Sequence, residues 1–237
     1  MEDIMKNIIK PLFTIGLALL ATVSLAQMET RNFTVTIENV SSADSLVSSN
    51  GNLPTPLAPG FWVVHEDANE LFTAGKADYG NGLEALAEDG NPGNLLEHYA
   101  MSDMTGHYGV FNTPEGAMEA GPLLPGASYS FSFDASDGDR LSFATMFVQS
   151  NDLFYATSAA GLALFDAMGQ PISGDISNHI LLWDAGTEVD EEAGQGMHQP
   201  LRQMSANSGD DENAAVRVSE QMLSLNGQVV KVTITVK

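Results

Sequence analysis

Ser128-Tyr129-Ser130-Phe131-Ser132-Phe133-Asp134 sets a polar residue against an aromatic one at every step. On a strand, successive side chains point to opposite faces, so Tyr129, Phe131 and Phe133 share one face. On a helix, Phe131 would stand opposite the other two. The stretch therefore reads as a strand with one buried face. Ser136-Asp137-Gly138-Asp139 follows, a turn-forming cluster that predicts a hairpin. The largely apolar run from Arg140 to Val148 is the strand that this turn would feed.

The same signal recurs along the chain. Asn32 to Val40 alternates, with Phe33, Val35 and Ile37 on one face. Val230, Val232, Ile234 and Val236 alternate near the C-terminus. Phe61 to His65, Ala163 to Asp166, His179 to Trp183 and Ala214 to Val218 are shorter strand candidates. Residues 41–60, rich in Ser, Asn, Gly and Pro, read as a loop, and Met101 to Pro125 has no clear period. Brief helices are expected at Leu83 to Glu88 and Leu95 to Ala100, inside a long insertion between strands. About eight short strands separated by turn clusters predict an all-β fold, an antiparallel β-sandwich occupying residues 27–237 as one domain. No internal repeat is present.

Lys6 and Lys10 precede an apolar run from Pro11 to Leu25, and Ser24-Leu25-Ala26 has the small residues of a cleavage site. Residues 1–26 therefore read as a signal peptide, too short for a confident membrane span. The expected mature chain begins near Gln27 and is secreted, periplasmic or extracellular. Removing the leader takes Lys6 and Lys10 against Glu2 and Asp3, so the net charge of −22 is unchanged. A surface this acidic repels nucleic acid, and repels anionic membrane unless cations bridge the two. It suits divalent cations, basic partners or a salty medium, and it also serves solubility alone. The chain has no cysteine, so thiol catalysis and cysteine-based zinc sites are excluded.

Leu181-Leu182-Trp183-Asp184-Ala185-Gly186-Thr187-Glu188 ends an apolar run on a carboxylate, turns through Gly186 and offers a second carboxylate four residues later. Upstream, Ser150-Asn151-Asp152-Leu153 follows another strand-like run and brings a third. Hard oxygen donors on two strand ends suit a hard cation such as calcium, which takes six to eight oxygens. The same residues also make an ordinary turn, since Asp and Gly are turn formers. Both readings stand on spacing alone.

These elements, in this order, resemble the spondin N-terminal domain, known from F-spondin and the mindins and from single-domain secreted bacterial proteins. The family pattern has a strand ending in Ser-Pro-Asp-Trp and, about thirty residues later, Trp-Asp-Ala-Gly-Thr-Asp. Here these read Ser150-Asn151-Asp152-Leu153 and Trp183-Asp184-Ala185-Gly186-Thr187-Glu188. Gly75-Lys76-Ala77-Asp78-Tyr79-Gly80 and Leu83-Glu84-Ala85-Leu86-Ala87-Glu88-Asp89-Gly90 are similar to two further family elements. The resemblance covers roughly residues 33–219. It implies a sandwich akin to calcium-dependent membrane-targeting domains, holding one calcium through Asp152, Asp184 and Glu188. It also implies a non-catalytic surface or adhesion module with an extracellular or cell-surface ligand. The chain departs from the pattern in three places: Glu188 replaces Asp, Leu153 replaces Trp and Asn151 replaces Pro.

Other chemistry is sparse. His65, His98, His107, His179 and His198 form no metal-binding motif on a helix. No Gly-x-Ser-x-Gly elbow or phosphate-binding glycine loop occurs. Asp137-Gly138-Asp139 lacks the rest of an EF-hand loop. The abundant carboxylates leave an extracellular glycan hydrolase as one rival reading, and a metal-free structural matrix protein as another. The acidic runs Glu188 to Glu192 and Asp210 to Glu212 read as solvated loops.

Overall fold

A computed structural model describes residues 29–66, 71–101 and 107–237. The expected leader, residues 1–26, lies outside the described residues. In chain order the strands are β1 (Arg31–Asn39), β2 (Leu46–Ser48), β3 (Gly51–Leu53), β4 (Leu57–His65), β5 (Tyr108–Phe111), β6 (Ser128–Ala135) and β7 (Arg140–Phe147). They continue with β8 (Leu153–Ala156), β9 (Leu162–Ala163), β10 (Gly174–Asp175), β11 (Leu181–Asp184), β12 (Arg217–Val218) and β13 (Val230–Val236). Two helices, α1 (Leu83–Asp89) and α2 (Gly93–Met101), fall between β4 and β5, where the insertion was expected.

The strands form two main antiparallel sheets. One has the order β10-β13-β1-β6; the other runs β12-β11-β8-β7-β4-β5, with β9 pairing to β7. The fold is thus the expected all-β sandwich. Phe33, Val35 and Ile37 of β1 and Tyr129, Phe131 and Phe133 of β6 all face one core with Val232 and Ile234 of β13. Opposite them stand Trp62, Leu141, Phe143 and Tyr155 of the larger sheet. Trp62 stacks on Phe131 with ring centroids 5.3 Å apart, and Phe131 stacks on Phe111 at 5.3 Å. Such pairs contribute about 0.5–1.5 kcal/mol each beyond the area they bury.

The larger sheet is buried on both faces. Its outer side carries Phe61, Val63, Phe154 and Trp183, covered by Leu83 and Leu86 of α1, Leu95 and Tyr99 of α2, and Phe72. This explains why β7 reads as a continuous apolar run rather than an alternating one: seven of its eight residues are buried.

Three readings change. The Ser136–Asp139 turn forms, with the Asp139 N–H donating to the Ser136 carbonyl at 3.0 Å. It does not close a hairpin, however: β6 pairs with β1, and β7 pairs with β4, β8 and β9. The turn is a corner that carries the chain from one sheet to the other. The apolar faces of β6 and β7 can then bury against each other across the sandwich instead of lying side by side. Residues 41–60 are not all loop, for they contain β2, β3 and the start of β4. Tyr108–Phe111, in the stretch read as irregular, is the edge strand β5, which pairs with β4 from Gly60↔Phe111 to Val63↔Tyr108.

Candidate metal centre

The carboxylates singled out in the sequence sit at one end of the larger sheet. Strand β7 turns into β8 through Val148–Asp152, a hairpin loop fastened by Ser150. Its hydroxyl donates to the Phe147 carbonyl at 2.6 Å and accepts from the Leu153 N–H at 3.0 Å. Strand β11 runs antiparallel beside β8 in a register that sets Asp184 opposite Leu153. The end of β11 therefore meets the start of β8. The Ala185 N–H donates to the Asp152 carbonyl at 3.2 Å, locking the two loops together.

Asp152 is fully buried and Asp184 nearly so. One oxygen each of Asp152, Asp184 and Glu212 lie within 4.8 Å of one another. Asp152 Oδ2 accepts the N–H groups of Thr187 at 3.1 Å and Glu188 at 3.3 Å, while its Oδ1 has no protein hydrogen-bond partner. Asp184 Oδ1 accepts the Gly186 N–H at 2.7 Å. Its Oδ2 meets Arg217 at 2.6 Å, and the same guanidinium reaches both oxygens of Glu212 at 3.0 and 3.1 Å.

Arg217 reaches this place because β12 pairs with β11, Asp184 standing opposite Arg217. The strap between residues 210 and 216 is laced to the loop after β11 by backbone bonds. Glu212 N–H donates to the Thr187 carbonyl at 2.9 Å and Ala214 N–H to the Gly186 carbonyl at 2.8 Å. Gly186, at φ 68°, makes that close approach possible: a Cβ there would lie 2.9 Å from the Ala214 carbonyl carbon.

Burial pushes the Asp152 carboxyl up to about 7, with the charge of Asp184 adding to the effect. Burial likewise raises Asp184 to about 6, against the pull of the Gly186 N–H and Arg217. The exposed Asp190 adds further negative charge to both.

Of the three expected ligands, the structure brings Asp152 and Asp184 together. Glu188 contributes its backbone N–H to Asp152, but its own Oε1 accepts the Gly209 N–H at 2.8 Å. The third converging carboxylate is Glu212, from the acidic run read as a solvated loop. Nothing local marked it: what places it is the pairing of Glu188 with Asp211 and of β11 with β12, contacts between segments far apart in sequence. The flanking run is also more engaged than a solvated face. Glu191 takes the His198 ring at 3.0 Å, and Glu192 accepts from the Ser49 N–H at 2.7 Å.

The donor set is all oxygen and mostly buried, with one carboxylate oxygen left without a protein partner. That fits a hard cation and offers nothing to a soft one. The centre could thus hold a metal ion. No protein-family model matches the chain, and comparison with curated proteins returns no significant match.

Proposed function

We propose that the protein is an exported calcium-binding β-sandwich that acts as a non-catalytic surface or extracellular binding module, in the manner of the spondin domains it resembles. The observation that carries this reading is the buried pair Asp152 and Asp184. Two strand ends drive two carboxylates together, and Asp152 Oδ1 is left with no partner in the protein. Holding such a pair in a dry site is costly unless a cation neutralises it. Calcium accepts carboxylate and carbonyl oxygens in a flexible shell, and Glu212 is the third protein donor within reach.

Arg217 already offsets part of the charge of Asp184 and Glu212, so the ion and the guanidinium would compete for those two side chains. The loops from 148 to 152 and from 185 to 189 would then be fastened to each other and to the 210–216 strap. A ligand of the module would meet these loops and a strongly negative surface. The net charge of −22 favours a basic or cation-bridged partner.

The test is thermal unfolding in saturating calcium and in chelator. An ion that binds only the folded state at a hundredfold excess over its Kd stabilises by about 2.7 kcal/mol. Asp184→Asn keeps the shape, removes one charge and is expected to abolish most of that gain. Equal melting temperatures in the two conditions, with no heat of binding in a calorimetric titration, would show the Asp-Ala-Gly-Thr-Glu loop to be a turn and nothing more.

A further inference from the structure

A second set of unpaired oxygens lies behind the first, between α1 and the loops around residues 187 and 208. Glu88, on the last turn of α1, is 2% exposed, and its Oε2 has no hydrogen-bond partner. Glu188 is 3% exposed; its Oε1 is held by Gly209, and the Asn151 side chain stands beside the carboxylate while Oε2 meets no hydrogen-bond geometry. Asp78 Oδ1 and the Ser208 hydroxyl are buried without partners in the same region. The Thr187 hydroxyl stands beside Glu88 without meeting hydrogen-bond geometry. Buried polar atoms are nearly always paired, so this concentration calls for an explanation.

Glu88 lines a pocket of 250 Å³ together with Asp78, Glu84, Asp89, Asn94 and Asn207. Among the described residues, no lysine, arginine or histidine lines it. The strongest charges acting on Glu84 are Asp78, Asp211 and Asp89; those acting on Glu88 are Glu188, Glu84 and Asp89. All are negative. The Asp152 centre has Arg217 as an internal counter-charge, whereas among the described residues this pocket sets amides, not cations, against its carboxylates. Asn207 donates to Glu84 at 2.9 Å and Gln203 to Asp89 at 2.8 Å. Those two amides bind the strap around residues 203–207 to α1 and leave Glu88 Oε2 without a partner.

We propose that this pocket is a second cation site, which takes a hydrated divalent ion of the calcium class with Glu88 as its innermost ligand. The side-chain donors lining the pocket are carboxylate and amide oxygens, the set that a hard cation prefers. The carboxylates are set wider than in the Asp152 cluster, the only trio among the described residues with ligand atoms within 4.8 Å. An ion here therefore keeps part of its water shell, for which the pocket has room. The site does not depend on the first centre, since Glu88, Glu84 and Asp78 take no part in it. Its effect would be to clamp α1 and the 203–209 strap onto the loop that carries Glu188.

The experiment is a calorimetric calcium titration of the metal-free full-length chain, its Glu88→Gln variant and its Asp152→Asn variant, each checked for folding by a melt in chelator. The wild type should bind two ions. Glu88→Gln should lose one and keep the other unchanged, and Asp152→Asn should lose the other one. A single ion in the wild type, unaffected by Glu88→Gln and lost in Asp152→Asn, overturns the second site and leaves the first standing. A single ion lost in Glu88→Gln but kept in Asp152→Asn supports the second site and removes the first. One ion lost in both variants means one shared site and overturns the proposal, as does no binding at all. Should Glu88→Gln fail to fold, Glu84→Gln at the pocket wall replaces it. Loss of that charged ligand should weaken the second ion about tenfold and leave the first unchanged.

Discussion

Asp152, Asp184 and Glu88 are carboxylates that the fold makes reluctant to ionise. Burial raises them from 3.8 to about 7, from 3.8 to about 6 and from 4.5 to about 8 respectively. The folded state then holds protons that the unfolded state has already released. Between the unfolded and folded values it binds more protons, and stability falls as pH rises. The metal-free protein should accordingly lose melting temperature from about pH 4 to about pH 8, a trend opposite to that of ordinary acid denaturation. Calcium bound as proposed would compete with those protons, so its stabilising increment should grow over the same range. Melts in chelator and in calcium at several pH values check both trends. A metal-free protein that grew more stable with rising pH would show that these carboxylates ionise freely in the fold.

The elements that position the centre depend on tight packing around β4. Gly60 lies where β4 shifts register against β7, between Leu57 and Gly60. A Cβ on Gly60 would collide with the Phe111 ring on one side and the Ala144 carbonyl on the other. Neither obstacle moves freely, because Phe111 is packed on Phe131 and Tyr129 and the carbonyl belongs to the sheet backbone. Gly60→Ala should destabilise by about 1–3 kcal/mol, the usual range for overpacking. In a chain of this size each kcal/mol lowers the melting temperature by about 2–4 °C. A wild-type melt for this variant would mean that Phe111 can swing aside without loss. The calcium heats of the folded variant should stay near those of wild type, since β4 carries none of the proposed ligands.

Across the whole molecule the dominant quantity is the net charge of −22. Like charges at this density repel one another and favour expansion of the chain. Screening shortens that repulsion from about 10 Å at 0.1 M salt to about 3 Å at 1 M. Without divalent ions, the melting temperature should rise with sodium chloride over that interval. On the proposed reading, calcium should act at far lower concentration, because it would bind at the buried clusters rather than screen the surface. If sodium chloride at equal ionic strength reproduced the whole calcium effect, the stabilisation would be screening and not binding.

The architecture was legible in the sequence wherever burial falls on one face. The alternation in Asn32 to Val40, Ser128 to Asp134 and Val230 to Val236 reports a half-buried strand directly, and β1, β6 and β13 lie there. Helices α1 and α2 were marked as short segments ended by glycine or polar residues. Strands β5 and β8 escaped notice because they are only four residues long, and β8 is buried on every side chain, so neither offers a period. In the centre, Asp184 was readable because it ends an apolar run, and Asp152 because it lies on the short turn that follows another, where a strand end has a predictable place. Which strands pair across the Ser136–Asp139 turn, and which acid stands third, were decided by tertiary structure. Glu212 and Arg217 reach Asp184 through the pairing of β12 with β11, and Glu188 is turned toward Gly209 by the strap that follows. A residue's side-chain type is local information. Its neighbours across a sheet are fixed by the joint burial of both sheet faces, a property of the whole chain that no single stretch contains.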